Sequence, residues 1–141
     1  MICIIRIKGQ VGLRRDVKET LDRLGLRKKY SCVVINPNME NKGMIKKIND
    51  LAAYGEINDE TFTELIEKRG QLIDNGSKTK KIDAKKMVDE INKGKKYKEL
   101  NLKPFFRLHP PRKGIESKKH FPKGVLGNNK DKINDLVKRM L

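Results

Sequence analysis

Apolar residues alternate from the start of the chain: Cys3, Ile5 and Ile7 fall on one side, and Ile4, Arg6 and Lys8 on the other. This is the period-two pattern of a strand with one buried and one partly basic face. After Gly9 and Gly12 the period changes. Leu13, Val17, Leu21 and Leu24 recur at helical spacing, Arg14, Arg15, Lys18 and Glu19 fall off that stripe, and Gly25 is placed to end the helix. The spacing predicts a helix from about 13 to 24. Ser31 to Ile35 is a short β-rich run stopped by Asn36-Pro37, a second strand. A second helix is predicted from about Glu40 to Ala52, with Met44, Ile45, Ile48, Leu51 and Ala52 on one side and Lys42, Lys46 and Asp50 on the other. Ala53 to Ile57 can supply a third strand. The order β-α-β-α-β predicts a small sheet covered on one face by two helices, with the other face available and carrying Arg6 and Lys8.

The rest reads as helices and loops. Asn58 or Asp59 can cap a helix striped by Phe62, Leu65 and Ile66 and ended by Gly70. Asp83 can cap another with Met87, Val88 and Ile91 apolar and Gly94 as its stop, and Ile133, Leu136, Val137 and Met140 mark a last helix that docks on the core. Between them lie a loop from Ile73 to Ile82 and a long Pro- and Gly-punctuated stretch from Lys103 to Gly127. The expected organisation is α+β, with a core over 1–57 and a helical and basic-loop extension over 58–141 packed on it.

Charge changes this picture from a fold to a partner. The 141 residues carry a formal net charge of +16, which makes a compact chain repel itself unless a polyanion neutralises it. Residues 1–55 hold 12 basic and 5 acidic side chains (+7), residues 56–92 hold 7 and 9 (−2), and residues 93–141 hold 15 and 4 (+11). Two basic ends around a near-neutral middle predict two RNA-facing surfaces and a third facing solvent or protein. No apolar run approaches the ~20 residues needed to span a bilayer, and no helix sets a basic face against an aromatic-rich one, so no membrane partner is expected. The N-terminus lacks a secretory pattern. Cys3 and Cys32 sit in apolar β-rich runs as core packing, without the company that a zinc site or a disulfide framework needs. A reducing, cytoplasmic location is expected.

The most informative local feature is Phe105-Phe106-Arg107-Leu108-His109-Pro110-Pro111-Arg112-Lys113-Gly114, extended by Lys118, Lys119, His120, Phe121 and Lys123. Such a segment can thread along RNA, with Arg and Lys on phosphates and His or Arg planes stacking on bases. It is expected to be mobile alone and ordered on RNA. Phe105 and Phe106 suit core packing better than base contact. Arg27, Lys28 and Lys29 follow a helix end, where carbonyl dipoles already favour cations, whereas Arg14 and Arg15 sit near a helix start that disfavours them, which suggests an external anion. Lys42 and Lys46 argue likewise. Catalysis finds poor candidates: His109 and His120 have no carboxylate or thiolate company, and Gly9-Gln10-Val11-Gly12 lacks the remaining signature of a nucleotide loop. No enzyme, metal, cofactor or small-molecule substrate is expected.

The order Ile5-Arg6-Ile7, Gly12-Leu13-Arg14-Arg15, Thr20-Leu21, Leu24-Gly25-Leu26-Arg27-Lys28 and Lys42-Gly43-Met44-Ile45 resembles ribosomal protein thirty of the large subunit, the family whose eukaryotic member is numbered seven. The resemblance covers residues 1 to about 57 in the form shared with bacteria. Arg107-Leu108-His109-Pro110-Pro111 and Gly124-Val125-Leu126-Gly127-Asn128-Asn129 resemble the archaeal and eukaryotic extension. Eukaryotic members carry a long basic N-terminal arm, whereas this sequence opens on the first strand, so the archaeal form is the better match. The resemblance implies a three-stranded antiparallel sheet of ferredoxin-like topology, a cytoplasmic place in the large (50S) subunit, and binding to 23S rRNA close to 5S rRNA. Neighbouring ribosomal proteins are the other partners implied, and no homo-oligomer is expected. The residues expected to meet RNA are Arg6, Lys8, Arg14, Arg15, Lys18, Arg27, Lys28, Lys29, Lys42, Lys46, Arg107, His109, Arg112, Lys113, Lys118, Lys119, His120 and Lys123. The competing readings are a non-ribosomal RNA-binding assembly factor or chaperone and a DNA-compacting architectural protein.

Overall fold

The computed structural model describes residues 1–73, 83–115 and 117–141. The loop expected over 73–82 therefore lies, apart from Ile73, outside the described residues. Alternating apolar runs form β1 (Ile2–Arg6), β2 (Ser31–Ile35) and β3 (Ala52–Glu56), connected by α1 (Arg15–Arg23) and α2 (Met39–Lys47). Helices α3 (Asp59–Arg69), α4 (Ala84–Asn92) and α5 (Ile133–Met140) follow, with a 3-10 turn over Lys130–Lys132 leading into α5.

The fold is α+β as expected, but the sheet is larger than the three antiparallel strands expected. Its order is β4-β2-β1-β3-β5, where β4 is Phe106–Arg107 and β5 is Gly127–Asn128. β1 pairs antiparallel with both β2 and β3, β4 adds antiparallel to β2, and β5 adds parallel to β3. Both edge strands are two residues long, too short for any period to show in the sequence.

Helices pack on both faces of the sheet. Ile4, Val33 and Ala52 pack under Leu21 of α1 and under Ile45 of α2 and Ile48 just beyond it. On the opposite face, Cys3, Ile5, Cys32 and Val34 meet Phe62 and Leu65 of α3, Val88 of α4 and Leu136 and Met140 of α5. This corrects the expectation of one open face: apolar area on both sides is removed from water, the second side by residues far along the chain. Phe106 is buried and Phe105 half-buried, so both phenylalanines anchor the sheet, as core packing requires. The thiols of Cys3 and Cys32 lie 3.4 Å apart in the core, and their hydrogen bond together with burial pushes the Cys32 thiol well up.

Three joints hold the layers. The corner Leu24-Gly25-Leu26 is a Schellman motif: Gly25 sits at φ +77, its N–H donates to the Asp22 carbonyl, and the Leu26 N–H donates to the Leu21 carbonyl. Asn134 of α5 accepts from the Asn58 N–H through Oδ1 and donates through Nδ2 to the Glu56 and Asp131 carbonyls, which ties the last helix to the end of β3. The Tyr97 hydroxyl donates to the Val34 carbonyl at 2.7 Å, and burial of the ring pushes its ionisation far up. Neither Asn58 nor Asp83, the expected caps, makes a side-chain cap bond.

The stretch after Arg107, expected to be mobile, is fastened through its backbone. The Leu108 N–H donates to the Tyr30 carbonyl, the His109 N–H to Met140 and the Arg112 N–H to Arg139. Amide exchange on the free protein is expected to show protection at Leu108, His109 and Arg112; exchange at unprotected rates there would restore the mobile reading. A second test concerns Gly55, where an added Cβ would run into the Lys130 carbonyl and press on Ile133. Gly55→Ala should cost about 1–3 kcal/mol in urea denaturation by lifting the turn before α5 off β3. Gly43→Ala, on the exposed side of α2 with open space around it, should gain about 0.5–1 kcal/mol. Equal effects at the two sites would contradict the packing described.

Candidate nucleic-acid interface

Strand direction decides where the cations go. β1 ends at Arg6, β2 begins at Ser31, β3 begins at Ala52, β4 ends at Arg107 and β5 begins at Gly127, and the antiparallel and parallel registers put all five points at one end of the sheet. A row of main-chain bonds crosses that end: the Ile7 and Lys8 amides donate to the Leu51 carbonyl, the Tyr30 amide to Arg6, and the Leu108 amide to Tyr30. The last turn of α5 arrives there too, through its bonds to His109 and Arg112. The two basic ends of the sequence thus meet at one end of the fold, where two separate surfaces were expected.

Arg6 organises this end from inside. It is 1% exposed, and its guanidinium donates from Nε to the Lys8 carbonyl at 3.0 Å, from Nη1 to Leu26 at 2.7 Å and Arg27 at 3.0 Å, and from Nη2 to Gly9 at 2.9 Å. Burial lowers its pKa and the nearby Asp22 charge raises it, and four carbonyl acceptors offset the cost of removing a cation from water. The expectation that Arg6 faces RNA is corrected: the strand face that carries it is roofed by the 8–12 loop and the 25–30 corner. Gln10 reinforces the roof by donating to the Arg27 carbonyl.

The loops pinned by Arg6 display their side chains outward. Lys8 and Lys29 line a cleft of about 320 Å³ with Lys118 from the far end of the sequence, and Lys29 lies 4.7 Å over the Tyr30 ring. Arg27, Lys28 and Arg107 share a larger groove of about 690 Å³ along β2. Arg27 is exposed, with Asp22 at 3.8 Å as a loose partner. Arg14, Arg15 and Lys18 are exposed at the start of α1, and none has an ion pair among the described residues. Arg112 and Lys113 sit on an exposed turn beside the end of α5, and Lys119 and Lys123 on a compact loop closed by the Ser117 hydroxyl donating to the Lys123 carbonyl. His109 is exposed.

Two expected residues are placed differently. His120 is held by Asp50, with Nε2 2.8 Å from Oδ1, and its ring lies against Gly127, so it latches the extension to the turn before β3. Lys42 lies in the first turn of α2, just past the end of β2 and away from the basic end, whereas Lys46 lies in the last turn that leads back toward it. Lys132 and Arg139 are missed by the sequence reading, yet they line one cleft with Phe121, and Lys132 lies 5.4 Å over that ring. Lys132 ends the 3-10 turn and Arg139 lies in the last turn of α5, and their spacing of seven on either side of the apolar stripe was the available signal. Elsewhere Asp59, Glu60, Glu64 and Glu67 of α3 and Asp89 of α4 line a depression with Lys85 as its one cation, so this part of the surface is acidic. Among the described residues no group of three His, Cys, Asp or Glu is placed to hold a metal ion, and no helix is long and apolar enough to cross a membrane.

The exposed cations gathered at one end of this α+β fold make a surface whose chemistry suits a polyanion such as nucleic acid. Comparison with known proteins gives the family. The family model of ribosomal protein L30p/L7e matches residues 2–52. The chain is 42% identical to the large ribosomal subunit protein uL30 of Archaeoglobus fulgidus, covering 99% of both chains. It is 40% identical to the protein of the same name from Methanococcus vannielii, covering 98% of this chain and 97% of that one. Against that of Methanosphaera stadtmanae it is 36% identical over all of both chains. The chain belongs to the L30p/L7e family of ribosomal proteins, a family of structural components and not of enzymes.

Arg6→Met should remove about 3 kcal/mol of stability in urea denaturation, because it strands buried carbonyls that a thioether cannot satisfy. Lys28→Met, on the surface, should stay within about 0.5 kcal/mol of the parent. An Arg6→Met protein as stable as the parent would show that the carbonyl cradle is not what holds the basic loops.

Proposed function

We propose that this protein is a structural constituent of the large ribosomal subunit, binding and stabilising 23S rRNA through the basic end of its sheet and lying close to 5S rRNA. The observation that supports this most is the convergence of cations from both halves of the sequence on that one end. Phosphate contacts there would release condensed counterions, which gives affinity without any reaction chemistry, cofactor or small-molecule substrate. The names of the archaeal relatives support the ribosomal setting, and the resemblance alone supports nearness to 5S rRNA.

In this reading residues 1–57 are the ribosomal core and 58–141 an extension that adds a second set of RNA contacts to the same end. Lys8, Arg14, Arg15, Lys18, Arg27, Lys28, Lys29 and Lys46 from the core act with Arg107, His109, Arg112, Lys113, Lys118, Lys119 and Lys123. Arg6 and His120 serve as internal fasteners, and Lys42 contributes only if RNA wraps to the opposite end. The acidic depression of α3 and α4 turns away from phosphate, toward solvent or neighbouring ribosomal proteins. The protein acts as a single copy in the cytoplasmic 50S subunit.

Gradient fractionation tests the setting: the tagged protein is expected in mature large subunits, and its presence only in precursor particles would make it an assembly factor. Binding to rRNA fragments tests the surface. Replacing Arg14, Arg15, Arg27 and Lys28 by Gln should leave circular dichroism unchanged and make the log affinity against log salt plot shallower by about 3, near 0.7–0.9 for each phosphate no longer neutralised. An unchanged slope would remove these residues from the interface.

A further inference from the structure

We propose that the groove along the outer edge of β2 is a binding site for one unpaired RNA nucleotide, whose base enters the groove while its phosphate is held at the rim by Arg27, Lys28 and Arg107. This rests on the RNA-binding reading above and adds to it a specific pocket and a single-stranded target. The groove encloses about 690 Å³, within the range of sites that hold small ligands. It exists because β4 continues the sheet for only two residues, so Ile35, Met44 and Phe105 are left half-buried on the face that α1 and α2 roof elsewhere.

Its chemistry fits a base in three respects. The floor is apolar, with the Phe105 side chain beside Leu24 and Met44, and the Arg107 guanidinium carbon lies 5.8 Å from the centre of the Phe105 ring. The exposed Arg107 guanidinium, set over that ring, turns its other plane outward, and Arg planes are among the surfaces on which unstacked bases are held in RNA complexes, whereas bases inside a duplex cannot reach such a floor. The rim cations continue the basic end of the sheet, so a strand lying there presents its phosphates to them. In the wall, the Asp22 carboxylate and the Oδ1 of Asn41, whose Nδ2 donates to the Asn36 carbonyl at 2.8 Å, offer acceptors for the polar edge of a base. An acidic apolar peptide would satisfy the rim but would meet the Asp22 carboxylate, which favours the nucleotide.

The test uses the full chain with labelled methyl groups, titrated with single-stranded hexanucleotides of each base, a blunt RNA duplex, inorganic phosphate and a synthetic peptide alternating Asp and Leu. At least one hexanucleotide is expected to shift the Leu24, Ile35 and Met44 methyls saturably, while duplex and phosphate leave them in place. Met44→Trp, which narrows the groove at its floor, should weaken hexanucleotide binding about tenfold, the order expected for one stacked base displaced, with duplex affinity unchanged. Should that variant fail to fold, Arg107→Gln on the exposed rim is expected to show a comparable loss. Methyls unmoved by every hexanucleotide, with rRNA still bound, would overturn the groove and leave the RNA-binding reading intact. No binding of any RNA would overturn both. Shifts with the peptide alone would make the groove a protein-docking surface and overturn the nucleotide site.

Discussion

A buried cation governs how this protein displays its exposed ones. Arg6 closes β1 with its guanidinium sealed from water, and the carbonyls that satisfy it belong to Lys8, Gly9, Leu26 and Arg27. Each of those carbonyls lies in a loop that carries lysine or arginine side chains outward, so one interior charge fixes the two loops that hold Lys8, Arg27, Lys28 and Lys29. The Schellman corner at Leu24-Gly25-Leu26 makes this possible by turning the chain so that two successive carbonyls, Leu26 and Arg27, point inward. Like charges crowded outside would push the loops apart in isolation, and the inward bonds to Arg6 oppose that spreading.

Around this point the topology sorts charge. Antiparallel pairing of β1 with β2 and β3 sends the loops after β1, before β2 and before β3 to one end, and the short strands β4 and β5 deliver the extension to that same end. His120 on Asp50 and the backbone bonds of His109 and Arg112 to α5 then fasten it. The acidic residues of α3 and α4 end up elsewhere. A net charge of +16 becomes a directional property, as expected of a family whose archaeal members are named for the large ribosomal subunit.

Much of this was legible in the residues. The stripe Leu13, Val17, Leu21 and Leu24 predicts α1, Phe62, Leu65 and Ile66 predict α3, and Ile133 to Met140 predict α5, because each helix buries one apolar stripe and the period records it. The burial of Phe106 and of both cysteines was legible for the same reason. Arg6 was not: alternation says which residues share a face and is silent about which later segment covers it. The strands β4 and β5 are too short to carry a period, and the His120–Asp50 contact joins residues 70 positions apart with no local trace. The positive charge of the two ends of the sequence suggests two surfaces, since only the strand register shows that both meet.

The most direct test of a single basic end facing RNA is lysine acetylation mapped by mass spectrometry on the free chain and on intact large subunits. Lys28, Lys29, Lys118, Lys119 and Lys123 are expected to lose reactivity in the subunit, while Lys68, Lys85 and Lys86 on the acidic side keep it. Protection of the second set with the first still reactive would contradict the account.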